Sequence, residues 1–341
     1  MKRIQGVLMR KLSSLLVAAL LAAVLLSGCA ATTRYSATDL SVFDTVTSIT
    51  GFERTKARFE GVSARITGEL GEYHRLFDIY HEYEGINNLR TVNLAAGGEP
   101  VEVDGRIIEL LEFGRQAYEL TGGRVNIAMG SVLALWHEAR EETHVPPSPE
   151  ALAEAAKHTN IDDMIIEGST VRLADPEMSL DVGAIAKGFA VEAVCSRLEA
   201  EGVTGYLVNC GGNVRASGAR GDGSPWRVAV SDPTETDREM ILALNGLSAV
   251  TSGVDQRWFE YEGVRYHHII DPETLFPREG CVSVTVVTRD SALADALSTG
   301  LFNMTPEEGL ALVETLDGTE ALWRLPDGSA VASPGFGGLL G

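Results

Sequence analysis

Asp295 and Thr299 stand four residues apart in a run, Thr288 to Phe302, whose apolar residues recur at helical spacing. Residues i and i+4 share one helix face, so a carboxylate and a hydroxyl are presented side by side. Such a pair can share one hard cation, with magnesium or calcium the natural candidates. A second stretch, Leu180-Asp181-Val182-Gly183-Ala184-Ile185-Ala186-Lys187-Gly188, consists mostly of small residues up to Phe189. Other groups can therefore come close to its main chain. It reads as a turn feeding a helix, with Asp181 before the turn and Lys187 in the first helical turn. Free N–H groups and a lysine favour a phosphate-bearing ligand there, although the GxxxxGK[ST] order of a P-loop is absent. A carbonyl from the Gly183-Ala184 turn would suit the cation as a third oxygen. His267-His268 precede Ile269-Ile270-Asp271-Pro272 and should point one imidazole to each side of a strand. One is expected to be structural, the other to donate to phosphate or move a proton. Gly211-Gly212, between two strands, lets backbone approach a ligand or another strand. Taken singly, these features have plainer readings: a tight turn with one solvated lysine, or a half-buried helix whose Asp295 faces water. The absence of Ser-His-Asp and HExxH patterns argues against hydrolases of those kinds.

The elements that must position these residues follow from periodicity and caps. Ser41 to Phe52 is rich in β-branched residues and reads as a first strand. Thr55 to Arg75 and Val103 to Leu120 have helical apolar spacing, the second stopped by Thr121-Gly122-Gly123. Arg124 to Trp136 mixes a short extended piece with a helical one. Ser148-Pro149 is a helix start with a cap and proline at the first position. Ile165 to Leu173 predicts a hairpin turning at Gly168-Ser169. Strands are expected on both sides of Asn209-Cys210-Gly211-Gly212-Asn213, at Trp226 to Val230, at Leu247 to Ser252 and at Val282 to Val287. Asp290 should cap the helix that carries Asp295, and Thr305-Pro306-Glu307-Glu308 is a capping box. Strands and helices intermix without a regular βαβ period, so the fold class is α+β.

The 341 residues can bury a sizeable core. Lys2, Arg3, Arg10 and Lys11 precede the apolar run Leu12 to Leu26, which ends in Leu26-Ser27-Gly28-Cys29. This is an export signal followed by the pattern of a bacterial lipobox, with Cys29 as the lipidated new N-terminus. Residues 1–28 are then a leader, 29–40 a lipidated tether and 41–341 the functional domain. Such a protein is expected on a cell membrane by its lipid, outside the cytoplasm, on the periplasmic or outer face. The formal charge is −20. Removing residues 1–28 takes away four basic residues and no acid, leaving 24 basic against 48 acidic residues, or −24. So acidic a surface argues against a nucleic-acid partner and against a polybasic grip on anionic lipid. Cys195, Cys210 and Cys281 show no CxxC spacing and point to neither a disulfide framework nor a zinc site.

Taken together, the chain resembles the ApbE family, the FAD:protein FMN transferases. The resemblance rests on Leu180 to Gly188, Asn209-Cys210-Gly211-Gly212-Asn213-Val214-Arg215, Thr251-Ser252-Gly253, His268-Ile269-Ile270-Asp271-Pro272 and Ala294-Asp295-Ala296-Leu297-Ser298-Thr299, in the family's order and behind a lipobox. It implies a two-lobed, T-fold-related α+β architecture with FAD and magnesium in the cleft between lobes. It also implies splitting of FAD at its pyrophosphate and passage of FMN to a threonine hydroxyl of an acceptor protein, such as an electron-transfer flavoprotein subunit, with release of AMP. By the same resemblance Asp181 and Lys187 contact FAD, and the Ala184 carbonyl, Asp295 and Thr299 hold magnesium. Tyr80 and Arg124-Val125-Asn126 touch flavin or adenine, with Phe43, Gly211, Gly212, His268 and Ile269 beside the cofactor. The threonine proton needs an acceptor, for which His268 or Asp181 could serve. An FAD pyrophosphatase, or a lipoprotein that only binds flavin, would share the cleft. Three positions depart from the family pattern. Phe43-Asp44-Thr45 stands where many members have Met-Gly-Thr, Leu275 takes the place of a usual glycine, and Asn213 replaces a commoner aspartate.

Overall fold

The computed structural model describes residues 32–231 and 239–341; the expected leader and Cys29 lie outside them. The chain enters through strand β1 (Thr33–Asp39), paired antiparallel with β2 (Thr47–Glu53) from Thr33↔Glu53 to Asp39↔Thr47. This corrects the tether expected over 29–40, because most of that span is sheet. Only Tyr35 and Ala37 of β1 pack against the core, so this edge strand has the composition of a linker. The first strand expected from Ser41 begins at Thr47 instead, and residues 41–46 form a loop.

Helix α1 (Lys56–Phe77), capped by Thr55, buries Phe59, Ile66 and Leu70. A short helix, α2 (Leu89–Leu94), follows; Asn88 and Thr91 form its capping box. Strand β3 (Val101–Glu102) and helix α3 (Gly105–Leu120) come next, then α4 (Gly130–Glu138) and α5 (Pro149–Ala155), the last capped by Ser148 with proline at its start. The expected hairpin is β4 (Met164–Glu167) and β5 (Thr170–Leu173), joined by β3 in a three-stranded sheet.

Helix α6 (Ala186–Ala200) leads back to the main sheet through β6 (Tyr206–Cys210) and β7 (Asn213–Ser217). Strands β8 (Trp226–Ser231) and β9 (Glu239–Leu244) form a two-stranded sheet of their own, with Leu340 bridged to Leu242. After β10 (Ser248–Gly253), the hairpin β11 (Trp258–Tyr261) and β12 (Val264–His267) stands apart from the sheet. Strand β13 (Ser283–Thr288), buried along its whole length, precedes α7 (Ser291–Phe302), α8 (Pro306–Val313), β14 (Glu320–Arg324) and β15 (Ala330–Ala332).

The eight-stranded sheet runs β1-β2-β6-β7-β10-β13-β14-β15, with every neighbouring pair antiparallel. Helices α1, α6 and α7 cover one face, while β8 and β9 close the other around Val214, Ala216, Trp226 and Leu244. The fold is thus α+β. Helix α7 is fixed by Asp290, whose Oδ1 accepts from the N–H groups of Ala292 at 2.8 Å and Leu293 at 3.1 Å. It buries Leu297, Leu301 and Phe302 completely, each contributing about 1.5–3 kcal/mol of transfer free energy. Such an anchored helix cannot turn to offer Asp295 to bulk water. Gly188 of α6 sits against it so closely that an added Cβ would collide with Asp295 and the Ser291 carbonyl. No helix among the described residues is long and apolar enough to cross a membrane.

Candidate functional site

One cleft of about 510 Å³ opens between the sheet with its helices and the segment running from Asp78 to Lys187. Phe43, Tyr80, Arg124, Val125, Asn126, Asp181, Ala184, Lys187, Gly211, His268, Ile269, Asp295 and Thr299 all line it. Of the residues singled out in the sequence, Gly212 is not brought to its wall and Cys29 lies outside the described residues. Gly212 is spent on the β6–β7 turn, where its N–H donates to Asn209 Oδ1 at 2.9 Å.

The Asp181 turn is held from two sides. Asn93 clamps Leu180, accepting from its N–H at 2.7 Å and donating to its carbonyl at 2.9 Å. The Asp181 N–H donates to the Ile127 carbonyl, which ties the turn to the Arg124–Ile127 wall. Asp181 Oδ1 accepts from the Gly183 N–H at 2.8 Å. Its carboxylate is walled by protein on most sides, yet solvent in the open cleft still reaches it. Burial pushes its carboxyl above the usual aspartate value, against the pull of the Gly183 N–H, His137, Lys187 and Arg257. Lys187 Nζ donates to the Gly183 carbonyl at 3.3 Å.

Helix α6 starts without a side-chain cap. In place of a cap, the Gly188 N–H donates to Asp295 Oδ2 of α7 at 2.8 Å, so an acid from the next helix meets the helix N-terminus. Asp295 is 5% exposed, and burial raises its carboxyl, with Lys187 opposing. A buried carboxylate so sparsely hydrogen-bonded is short of positive partners. Ser252 Oγ lies 2.8 Å from Ser298 Oγ and 3.5 Å from Thr299 Oγ1, which lines the cleft one turn after Asp295. The cleft wall offers a carboxylate from Asp295, hydroxyls from Ser252 and Thr299, and the Ala184 main chain. This all-oxygen set fits a hard cation, and among the described residues no cluster of three or more His, Cys, Asp or Glu offers a softer site.

The two histidines divide as their alternation predicts. His267 is buried, Nδ1 accepting from the Ile269 N–H at 3.2 Å and Nε2 donating to the Arg278 carbonyl at 3.0 Å. His268 lines the cleft, and its Nδ1 donates to the Arg257 carbonyl at 3.2 Å, which leaves Nε2 as the acceptor. Burial, then the Arg257 charge, pull the His268 imidazole down to about 3. It is neutral throughout the ordinary working range of pH.

At the opposite wall Asp78 builds the turn that carries Tyr80. Its Oδ1 accepts from the N–H groups of Tyr80 at 2.7 Å and His81 at 3.0 Å, and its Oδ2 from the Tyr83 hydroxyl at 2.8 Å. Tyr80 is half exposed and stacks on His137 with centroids 5.0 Å apart. A flat ring system could lie against such a pair. Asn126 shapes the wall rather than offering its amide, since Nδ2 donates to the Thr159 carbonyl and Oδ1 accepts from the Ala128 N–H.

The positions that depart from the family pattern show what glycine would supply. Asp44 has φ 48° and Leu275 φ 64°, a left-handed conformation costing about 1–2 kcal/mol for a side-chain-bearing residue. Neighbouring Phe43, at φ 54°, is held by its N–H donating to His74 Nδ1 at 3.2 Å. Gly211, at φ 57°, could not carry a Cβ without striking Thr45, so the β6–β7 turn and the Phe43–Thr45 loop fit only because it is glycine. Asn213 accepts at Oδ1 from Ser291 Oγ at 2.6 Å.

The ApbE family model matches residues 43–323. The chain belongs to the ApbE family. Relatives named FAD:protein FMN transferase include one from Treponema pallidum, 36% identical over 266 residues, covering 73% of this chain and 73% of the relative. Another, from Vibrio cholerae, is 35% identical over 238 residues, covering 68% and 71%. Among solved structures, the ApbE protein of Thermotoga maritima superposes with a TM-score of 0.81 at 28% identity, covering 90% of this chain and 99% of that one. The flavin transferase ApbE of Vibrio cholerae does so at 0.79 and 30% identity, covering 91% and 100%. The α+β fold of these ApbE structures is therefore shared over about nine tenths of this chain.

The cleft also contains residues that the sequence did not single out, notably Trp136, His137, Arg140, Gln256, Arg257 and Asn303. His137 sits on α4 after an apolar stretch, with no motif around it. Arg257 falls in a polar connection before β11, where an arginine looks like any solvated charge.

Proposed function

We propose that this chain is an FAD:protein FMN transferase, a transferase that splits FAD at its pyrophosphate and joins FMN to a threonine hydroxyl of an acceptor protein, releasing AMP. One observation carries the reading: a single cleft joins a turn suited to phosphate, a buried all-oxygen donor set and two proton acceptors. The names of the relatives point to the same reaction.

In this reading Lys187 and the small-residue turn bind the pyrophosphate, and the Tyr80–His137 stack receives a ring of the dinucleotide. Asp295, Thr299 and the Ala184 carbonyl would hold magnesium, which when bound neutralises pyrophosphate charge and polarises the phosphorus. Asp181 takes the threonine proton, because a raised carboxyl is a better base than an ordinary one. His268, with its imidazole near 3, instead accepts a hydrogen bond at Nε2 and orients the hydroxyl. We also assign Cys29 as the lipidated residue, with residues 1–28 as leader and the protein held on a cell membrane outside the cytoplasm. The acceptor is then an extracytoplasmic protein such as an electron-transfer flavoprotein subunit.

The test is incubation of the purified chain with FAD, magnesium and a candidate acceptor, followed by flavin fluorescence on a denaturing gel. A fluorescent acceptor band that disappears with chelator supports the transferase. FMN and AMP appearing with no labelled acceptor would favour a pyrophosphatase, and bound but intact FAD a carrier.

A further inference from the structure

Four basic side chains line the cleft: Arg124, Arg140, Lys187 and Arg257. Three of them are engaged. Arg124 pairs with Glu273 at 2.8 Å and lies 3.7 Å from Asp271. Arg140 pairs with Glu141 at 2.8 Å and donates to His137 Nδ1 at 3.1 Å. Lys187 donates to the Gly183 carbonyl. The Arg257 guanidinium alone has neither ion pair nor hydrogen bond among the described residues.

The main chain of Arg257 is nevertheless fixed. Its carbonyl accepts from the His268 N–H at 3.1 Å and from His268 Nδ1 at 3.2 Å. The side chain is exposed, yet its charge is felt at Tyr80, Asp181 and His268, which face the cleft from three different elements. A backbone pinned beside His268 and a guanidinium free over the cleft describe a cation whose partner is a ligand. Guanidinium pairs with phosphate oxygens in a two-pronged geometry that no other side chain offers. In a chain as acidic as this one, few other cations are available for that role.

We propose that Arg257 is a further substrate-binding residue, its guanidinium pairing with the pyrophosphate of the dinucleotide together with Lys187. The proposal rests on the transferase reading for the identity of the dinucleotide. It also gives the β11–β12 hairpin a purpose: the connection before it delivers a cation whose main chain is tied to His268.

The test is FAD binding, followed by flavin fluorescence in the presence of chelator so that no transfer occurs, for wild type, Arg257→Gln and Arg257→Lys. At low salt Arg257→Gln should bind FAD about 10- to 100-fold more weakly, the worth of one charge-assisted hydrogen-bonded pair. The gap should narrow as salt rises, because an exposed ion pair is screened. Arg257→Lys should recover part of the affinity, and all three should melt at the same temperature. Unchanged affinity in Arg257→Gln, or a loss equal at every salt concentration, would overturn the assignment. Because the assay reads binding alone, a wild type that binds FAD but labels no acceptor would sink the transferase reading and leave this result standing.

Discussion

Replacing Asp295 by Asn should make the cation-free protein more stable while nearly abolishing transfer. The carboxylate is 5% exposed, and the Gly188 N–H donates to it at 2.8 Å. Burial raises its carboxyl above the ordinary aspartate value, so folding favours the protonated acid. The destabilisation is therefore absent below the unfolded value, grows as pH climbs from there towards the raised folded value, and is complete above it. Asparagine keeps the shape and an oxygen for Gly188 but carries no charge. At pH 7 the variant should gain about 1–2 kcal/mol, within the range found when a functional site is relieved of strain. For a chain of this length that corresponds to a rise of roughly 2–4 °C in melting temperature. Magnesium should reverse the order. At 100 times its dissociation constant a ligand stabilises the state that binds it by about 2.7 kcal/mol, and only the wild type retains the anionic ligand. Thermal unfolding of both proteins at pH 7, in chelator and then in magnesium, reads both signs. An Asn variant that melts below wild type in chelator, or equal magnesium stabilisation of both proteins, would refute the view of Asp295 as a charge awaiting a cation.

Lys187→Ala should raise the KM for FAD roughly tenfold or more, the worth of one charged hydrogen bond, with kcat at saturating FAD little changed; a collapse of kcat at constant KM would assign Lys187 to the transition state. Thr299→Ala should lose less transfer than Asp295→Asn and regain part of it in excess magnesium, since a neutral hydroxyl contributes less to a hard cation than a carboxylate. A titration of transfer rate against added magnesium separates the two variants. With Asp181 as the base, the rate should rise with pH through the raised Asp181 value, and Asp181→Asn should remove that limb along with most of the activity. An unaltered acid limb in Asp181→Asn would move the role of base to another group.

Signals that act over a few residues were readable before any coordinates. The Asp290 cap, the Thr305–Glu308 box, the Gly168-Ser169 hairpin and the buried run Ser283–Thr288 each depend on neighbours in sequence, and each forms where spacing placed it. The same holds for the Asp181–Lys187 turn and for Asp295 and Thr299 on one helix face. Their convergence is a different matter. Gly188 and Asp295 touch across 107 residues, which no local period encodes, and only the combination of five blocks in family order pointed to it. Strand β1 was missed because its partner β2 supplies the pairing that its own small polar residues do not announce. Beyond the strand expected at His267-His268, the β11–β12 pairing was missed because much of its surface faces water, including Trp258 and Val264, so alternation of apolar and polar residues is lost. Helix α2 is only six residues long, shorter than a periodic pattern can establish. Arg257 was invisible for a simpler reason: an unpaired arginine acquires meaning only when its surroundings are known.

Strand β1 begins at Thr33, four residues after Cys29. Four extended residues reach roughly 14 Å, and the seven residues of β1 span a further ~23 Å before the loop that carries Phe43 to the cleft. A chain lipidated at Cys29 would thus ride on a short mooring, with its cleft no more than a few tens of ångströms above the bilayer. Height then becomes a selector of its own. A threonine on a soluble partner must find this enzyme by diffusion in three dimensions, whereas one displayed near the same membrane shares its plane and searches in two. The polypeptides open to modification would be chosen as much by how far their threonine stands from the lipid as by the residues around it.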